Sequence, residues 1–215
     1  MNGDNAKRDI LVCFSLSMLG SALPAALFYF YVRDVLGAEA NMLHFLALYL
    51  VPGIAVLPLW KRAAQRYGSA QAWLGAMVFT VVVFIGVCFL GQGDVVPFGI
   101  ICILSGLTFG AEFMLPAMIL KKIVATTNHI NNTVSRYATL AFIGKVTAIV
   151  GCAPLLLFTD LFDLPVNQRH VALIALYGFV PCLVKTASAA QLWRWIKTNG
   201  ENDEKRDTRG NTHVA

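Results

Sequence analysis

Three charged residues stand inside long apolar runs, where a charge costs roughly 2.5–3.5 kcal/mol on insertion scales and so faces a cavity or a partner. They are Glu112, Lys145 and Lys185. Glu112 precedes Lys121 by nine residues and Lys145 follows Arg136 by nine. At 1.5 Å per helical residue, each lies ~13 Å from the nearest boundary charge, near mid-depth in a ~30 Å hydrocarbon core. An ammonium at that level suits a cavity-facing role in contact with a polar solute. Consecutive spans would carry Glu112 and Lys145, so the two are expected to meet. The alternative for Lys145 is a purely structural salt bridge. Lys185, nine residues before Arg194, is expected to reach towards the headgroups along its own stem. Ser17, Ser21, Tyr29, Thr108 and Thr147 are candidate polar lining, or interhelical hydrogen-bonding groups of the ordinary kind.

The elements that must hold these residues are membrane-spanning helices. Of the 215 residues, 57% are hydrophobic and only 13% charged, against about a quarter charged in a soluble domain. The mean hydropathy is +0.65. Six apolar runs of about 20 residues are predicted to cross the bilayer: Ile10–Val32, Met42–Trp60, Ala72–Leu90, Val96–Leu120, Tyr137–Phe158 and Val171–Trp193. The fold class expected is an all-α membrane protein, a six-transmembrane-helix bundle at 10–197. A cytoplasmic tail at 1–9 precedes it, and a disordered cytoplasmic tail at 198–215 follows. The first apolar run outlasts a signal-peptide core and is taken as a retained span.

Lysine and arginine mark one side of the membrane. Lys7, Arg8, Lys61, Arg62, Arg66, Lys121, Lys122, Arg136, Arg194 and Lys197 fall there, while the other side carries Arg33 and Arg169 among five acidic residues. The positive-inside rule then puts both termini in the cytoplasm. The net charge of +5 lies in these short loops and forms no stripe with interleaved aromatics, which excludes nucleic acid as a partner. The five cysteines sit in apolar runs without C-x-x-C spacing, and the four histidines lack metal-ligand spacing. They read as small buried hydrophobes and isolated imidazoles, with no metal site and no cofactor. No nucleophile–base pattern or phosphate-binding glycine loop is present, so there are no catalytic residues and the chain is not an enzyme.

Gly106 and Gly110 form G-x-x-x-G, a close-packing face. Proline recurs in the spans at Pro24, Pro52, Pro58, Pro116, Pro154 and Pro181. This suits helices that bend between states, or the general tolerance of membrane helices for proline. Leu23-Pro24-Ala25 is echoed by Leu115-Pro116-Ala117, as an inverted three-helix repeat would produce.

Several segments carry a family resemblance. The stretch from Leu23 to Gly37, LPAALFYFYVRDVLG, resembles the seventh helix of the glycoside–pentoside–hexuronide:cation symporters, the melibiose-carrier-like branch of the major facilitator superfamily. Pro58-Leu59-Trp60-Lys61-Arg62, with Arg66-Tyr67-Gly68 and Trp73, is similar to the loop after its eighth helix. Leu115-Pro116-Ala117-Met118 resembles the end of the tenth helix, and Tyr177-Gly178-Phe179-Val180-Pro181 the start of the last. Lys145 falls where the eleventh helix carries a lysine. The sequence departs from the pattern at Ser69-Ala70-Gln71 and Lys121-Lys122, where that family is more basic and more acidic respectively.

The resemblance implies half of a major facilitator fold, the carboxyl half of a carrier of about twelve spans whose amino-terminal half is absent here. It implies a plasma (inner) membrane protein that moves a sugar or glycoside with sodium or a proton by alternating access. The coupling-ion site would lie in the other half. Lys145 and Glu112 would bind substrate or couple it to the ion, and Arg62, Arg66 and Gly68 would form a cytoplasmic gating loop. The expected partners are membrane lipid, the sugar, and a second copy or another six-helix half. The alternative reading is a non-transporting membrane interaction protein, or an inactive truncated remnant of such a carrier.

Overall fold

A computed structural model describes residues 3–125, 142, 144–147, 149–150 and 166–211. All regular structure among them is helical. Helix α1 spans Gly3–Phe30 and runs into a π-helical turn at Tyr31–Val35. A single 3₁₀ turn at Glu39–Asn41 leads to α2, Met42–Ala55, followed by α3, Leu57–Tyr67. Helix α4 covers Ser69–Phe84 and ends in a 3₁₀ segment at Ile85–Phe89; α5 covers Val95–Ala125. Helix α6, Val166–Ile174, passes through a second π-helical turn, Ala175–Phe179, into α7, Val180–Asn211.

Four stretches among the described residues are long and apolar enough to cross a membrane: Arg8–Val35, Ser69–Phe89, Val95–Lys121 and Gln168–Thr198. They match the first, third, fourth and sixth expected spans. The second expected span is not one straight helix. It breaks at Val56, and α3 turns 45° away from the Glu39–Ala55 segment, so this bent pair counts as a fifth crossing only when taken together. Pro58 explains the break, since it has no N–H to give the Ile54 carbonyl and its ring crowds that position. Beyond the bend, Lys61, Arg62 and Arg66 are exposed while Ala64 is buried. The fifth expected span, Tyr137–Phe158, lies outside the described residues except for a few helical positions such as 144–147. At the carboxyl end, the tail expected to be disordered from Thr198 is helical to Asn211. Once the span has nucleated a helix, each further residue costs little to add.

Two apolar clusters close the bundle at opposite ends. Ile10, Phe14, Trp73, Met77, Leu115 and Leu192 pack at the end where α1 begins. Leu27, Tyr31, Phe45, Val87, Phe98, Leu173 and Tyr177 pack at the other. In the second cluster the two π-helical turns meet the 3₁₀ segment Ile85–Phe89. Tyr31 and Tyr177 stack with ring centroids 4.2 Å apart, and the Tyr31 hydroxyl donates to the Val87 carbonyl at 2.8 Å. The first π-helical turn closes an i+5 bond, from the Leu36 N–H to the Tyr31 carbonyl at 3.2 Å, and Tyr31 itself is fully buried in this layer.

Small residues bring α2 against α5. A Cβ on Gly106 would lie 2.3 Å from the Tyr49 carbonyl oxygen, and one on Gly110 would lie 2.7 Å from that of Gly53. The G-x-x-x-G packing face is thus the α2–α5 contact. Trp60 crosses the same seam, donating from Nε1 to the Leu107 carbonyl at 2.7 Å.

Candidate functional site

Between the two apolar clusters the helices place their polar side chains around a cavity of about 180 Å³. From α1 come Ser21, Pro24 and Phe28; from α2, Leu46 and Tyr49; from α4, Thr80 and Phe84. Helix α5 supplies Phe98, Cys102, Ser105, Thr108 and Glu112, the second π-helical turn Tyr177, and α7 Pro181, Cys182 and Lys185. The polar and aromatic residues divide the wall. Aromatic rings lie towards the cluster of Tyr31 and Tyr177, and the charged pair lies towards mid-helix.

The charged pair is Glu112 with Lys185. Their side chains are 4% and 6% exposed, so both charges are withdrawn from solvent. Lys185 Nζ donates to Glu112 Oε1, and Ser21 Oγ donates to Oε2 at 2.6 Å. The three partners come from α7, α5 and α1. Glycine at position 20 makes room for the lysine: a Cβ there would stand 2.8 Å from Lys185 Cγ and 3.4 Å from the Pro181 carbonyl oxygen. Burial of such a pair is tolerable only when the charges compensate and their lone pairs and protons are used. The charges compensate here, and Ser21 takes up a further acceptor position of Glu112.

Hydroxyls elsewhere on the wall are satisfied locally. Thr80 and Thr108 share a hydrogen bond of 2.6 Å, Thr80 also donates to the Ala76 carbonyl, and Ser105 donates to that of Ile101 at 2.6 Å. Threonine and serine in membrane helices commonly bond back to the preceding turn, which keeps them compatible with an apolar environment.

The structure redistributes the residues singled out from the sequence. Glu112 and Ser21 are brought together on the wall, with Thr108 beside them. Lys145 is exposed and is not on that wall. The expected meeting of Glu112 with Lys145 is therefore replaced by the pair with Lys185, and Lys185 turns inward instead of reaching for the headgroups. Depth arithmetic placed Lys145 and Lys185 equally well; the packing of α7 on α1 and α4, which brings Lys185 to Glu112 of α5, chooses between them. Arg62 and Arg66 are exposed on α3, a helix where a loop was expected, and Gly68 joins α3 to α4 with φ +93°. All three lie away from the cavity. Tyr49, Tyr177 and the phenylalanines of the wall had no distinguishing signal among the many aromatics of the spans. Lys185 did, in the same nine-residue spacing from a boundary arginine that marked Lys145.

An all-helical bundle with several apolar crossings, around a largely apolar cavity that carries one buried ion pair, suits a multi-pass membrane transporter. The chain belongs to the MFS/sugar transport protein family, whose match covers residues 3–198. That family is one of transporters, not enzymes, and its substrates are sugars. No curated protein and no solved structure matches the chain.

Proposed function

We propose that the chain works as one six-helix half, residues 10–197, of a sugar:cation symporter of the glycoside–pentoside–hexuronide type. The observation that carries this reading is the buried Glu112–Lys185–Ser21 group on the wall of a mid-bundle cavity. Ionisable groups at that depth are expensive and mark substrate or ion pathways. Sugar hydroxyls are matched by a carboxylate, an ammonium and hydroxyls placed side by side, and pyranose C–H faces by the rings of Phe28, Phe84 and Phe98.

In this reading the carrier is completed by a second copy or by another six-helix half, and the coupling sodium or proton binds in that other half. Alternating access follows from rocking of the halves about the site. Lys145 supports the assembly. A mid-span ammonium on the bundle's exterior is costly against lipid, so it faces the solvated seam with the other half, where it contacts substrate or couples ion to sugar. Arg62, Arg66 and Gly68 act at the cytoplasmic gate, with both termini in the cytoplasm of the inner membrane.

The test is uptake. Vesicles carrying the assembled carrier should accumulate a labelled methyl glycoside when a sodium or proton gradient is imposed, and Lys145→Ala should abolish uptake while leaving membrane insertion intact. Accumulation that ignores both gradients would remove the symport mechanism. Full uptake by Lys145→Ala would remove that residue from it.

A further inference from the structure

We infer that the Glu112–Lys185 pair sets the charge specificity of the cavity: it admits an uncharged polyhydroxy ligand, a neutral glycoside or pentoside, and turns away one that carries a carboxylate. The inference rests on the sugar-binding reading above and narrows it. Glu112 and Lys185 are the charged side chains on the cavity wall among the described residues, and they cancel. A uronate entering the cavity would find no uncommitted cation. If it accepts from a remaining Lys185 proton, two buried carboxylates share one cation, and if it displaces Glu112, that carboxylate is left unpaired among apolar rings and hydroxyls; either leaves a buried negative charge uncompensated. The lysine stem packs over Gly20, in the room that the missing side chain leaves.

Electrostatic completeness does not exhaust the hydrogen-bonding capacity of the pair. An ammonium has three donors and a carboxylate about four acceptor positions. Among the described residues, one donor of Lys185 and two acceptor positions of Glu112 are used. A hydroxyl both donates and accepts. It can bond to the remaining lone pairs of Glu112 and to the remaining protons of Lys185 without disturbing the ion pair. Two adjacent hydroxyls of one sugar ring would fill both roles.

The experiment is equilibrium binding by calorimetry to the full chain in lipid nanodiscs, free of alkyl glycoside detergent. The probes are the methyl glycosides of glucose, galactose and xylose, and the methyl glycosides of glucuronate and galacturonate. Wild type is expected to bind a neutral hexoside at least roughly tenfold more tightly than the uronate of the same ring. Glu112→Gln keeps the shape but leaves Lys185 uncompensated, and should shift that ratio towards the uronate by roughly tenfold or more. Lys185→Met should show no such gain. The Glu112→Gln/Lys185→Met double variant has no unpaired charge; it should fold, and should lose affinity for the neutral sugar, which a merely structural pair would not cause. The wild-type ratio requires no variant and stands as a test if Glu112→Gln does not fold. Equal affinity of wild type for the two charge classes, or a Glu112→Gln ratio unchanged from wild type, overturns this inference alone. Absence of binding by every sugar removes the sugar-binding reading and the inference with it.

Discussion

Replacing Gly106 by alanine puts a methyl group where α2 and α5 touch backbone to backbone. The new Cβ would stand 2.3 Å from the Tyr49 carbonyl oxygen, 3.0 Å from its carbonyl carbon and 3.1 Å from its Cα. A carbon–oxygen contact relaxes at roughly 3.3 Å, so the helices must part by about 1 Å. A gap of that size forfeits a quarter to a half of the dispersion energy along the seam. Overpacking typically costs about 1–3 kcal/mol, and backbone atoms cannot rotate aside as a side chain can, which puts this site near the upper end. Removing a glycine from a helix interior returns about 1 kcal/mol, for a net loss of about 2 kcal/mol. In a thermal unfolding assay in lipid nanodiscs, that corresponds to a fall of about 6 °C for a chain of this length. Gly75→Ala is the matched control. A Cβ at Gly75 meets nothing within 4 Å, so the substitution should hold or raise the melting temperature. Gly106→Ala melting at or above wild type, or Gly75→Ala falling as far, would refute the close-approach argument.

Three further outcomes are expected. Gly68→Ala forces a side chain onto a backbone at φ +93°, a strain of about 1–3 kcal/mol, and should lower the same melting temperature; an unchanged value would show that the α3–α4 junction relaxes freely. Tyr31→Phe deletes the 2.8 Å hydrogen bond to Val87 but keeps the ring stacked on Tyr177, so it should cost about 1 kcal/mol. Tyr31→Ala should cost about 3–5 kcal/mol, and equal losses would mean that the aromatic layer contributes nothing beyond the hydroxyl. Reporter fusions after Thr198 and after Asp94 should report cytoplasmic and external locations respectively, as the lysine and arginine bias requires; cytoplasmic activity at Asp94 would overturn that orientation.

The sequence alone determined that this is a helical membrane protein and where most crossings lie, because hydrocarbon thickness and the cost of exposed backbone impose the length and composition of a span locally. It also marked Gly106 and Gly110 as a packing face, and Glu112 and two lysines as charges at mid-depth. Depth is a one-dimensional quantity, and Lys145 and Lys185 share it. Choosing between them needs the azimuth of each helix and the identity of its neighbours, which arise only when α1, α5 and α7 pack together. The same packing decided that Lys185 turns inward over Gly20 and that Ser21 completes the group on Glu112. The bend at Val56 was half legible, since Pro58 announces a lost hydrogen bond, but a proline can kink a span or end it. The docking of Trp60 on the Leu107 carbonyl settles where α3 lies, and that contact joins residues 47 positions apart. The two π-helical turns had no sequence signal at all. An extra residue per turn is stabilised by what its side chains meet across the bundle, here Tyr31 against Tyr177 and the Val87 carbonyl, and such contacts exist only in the assembled fold.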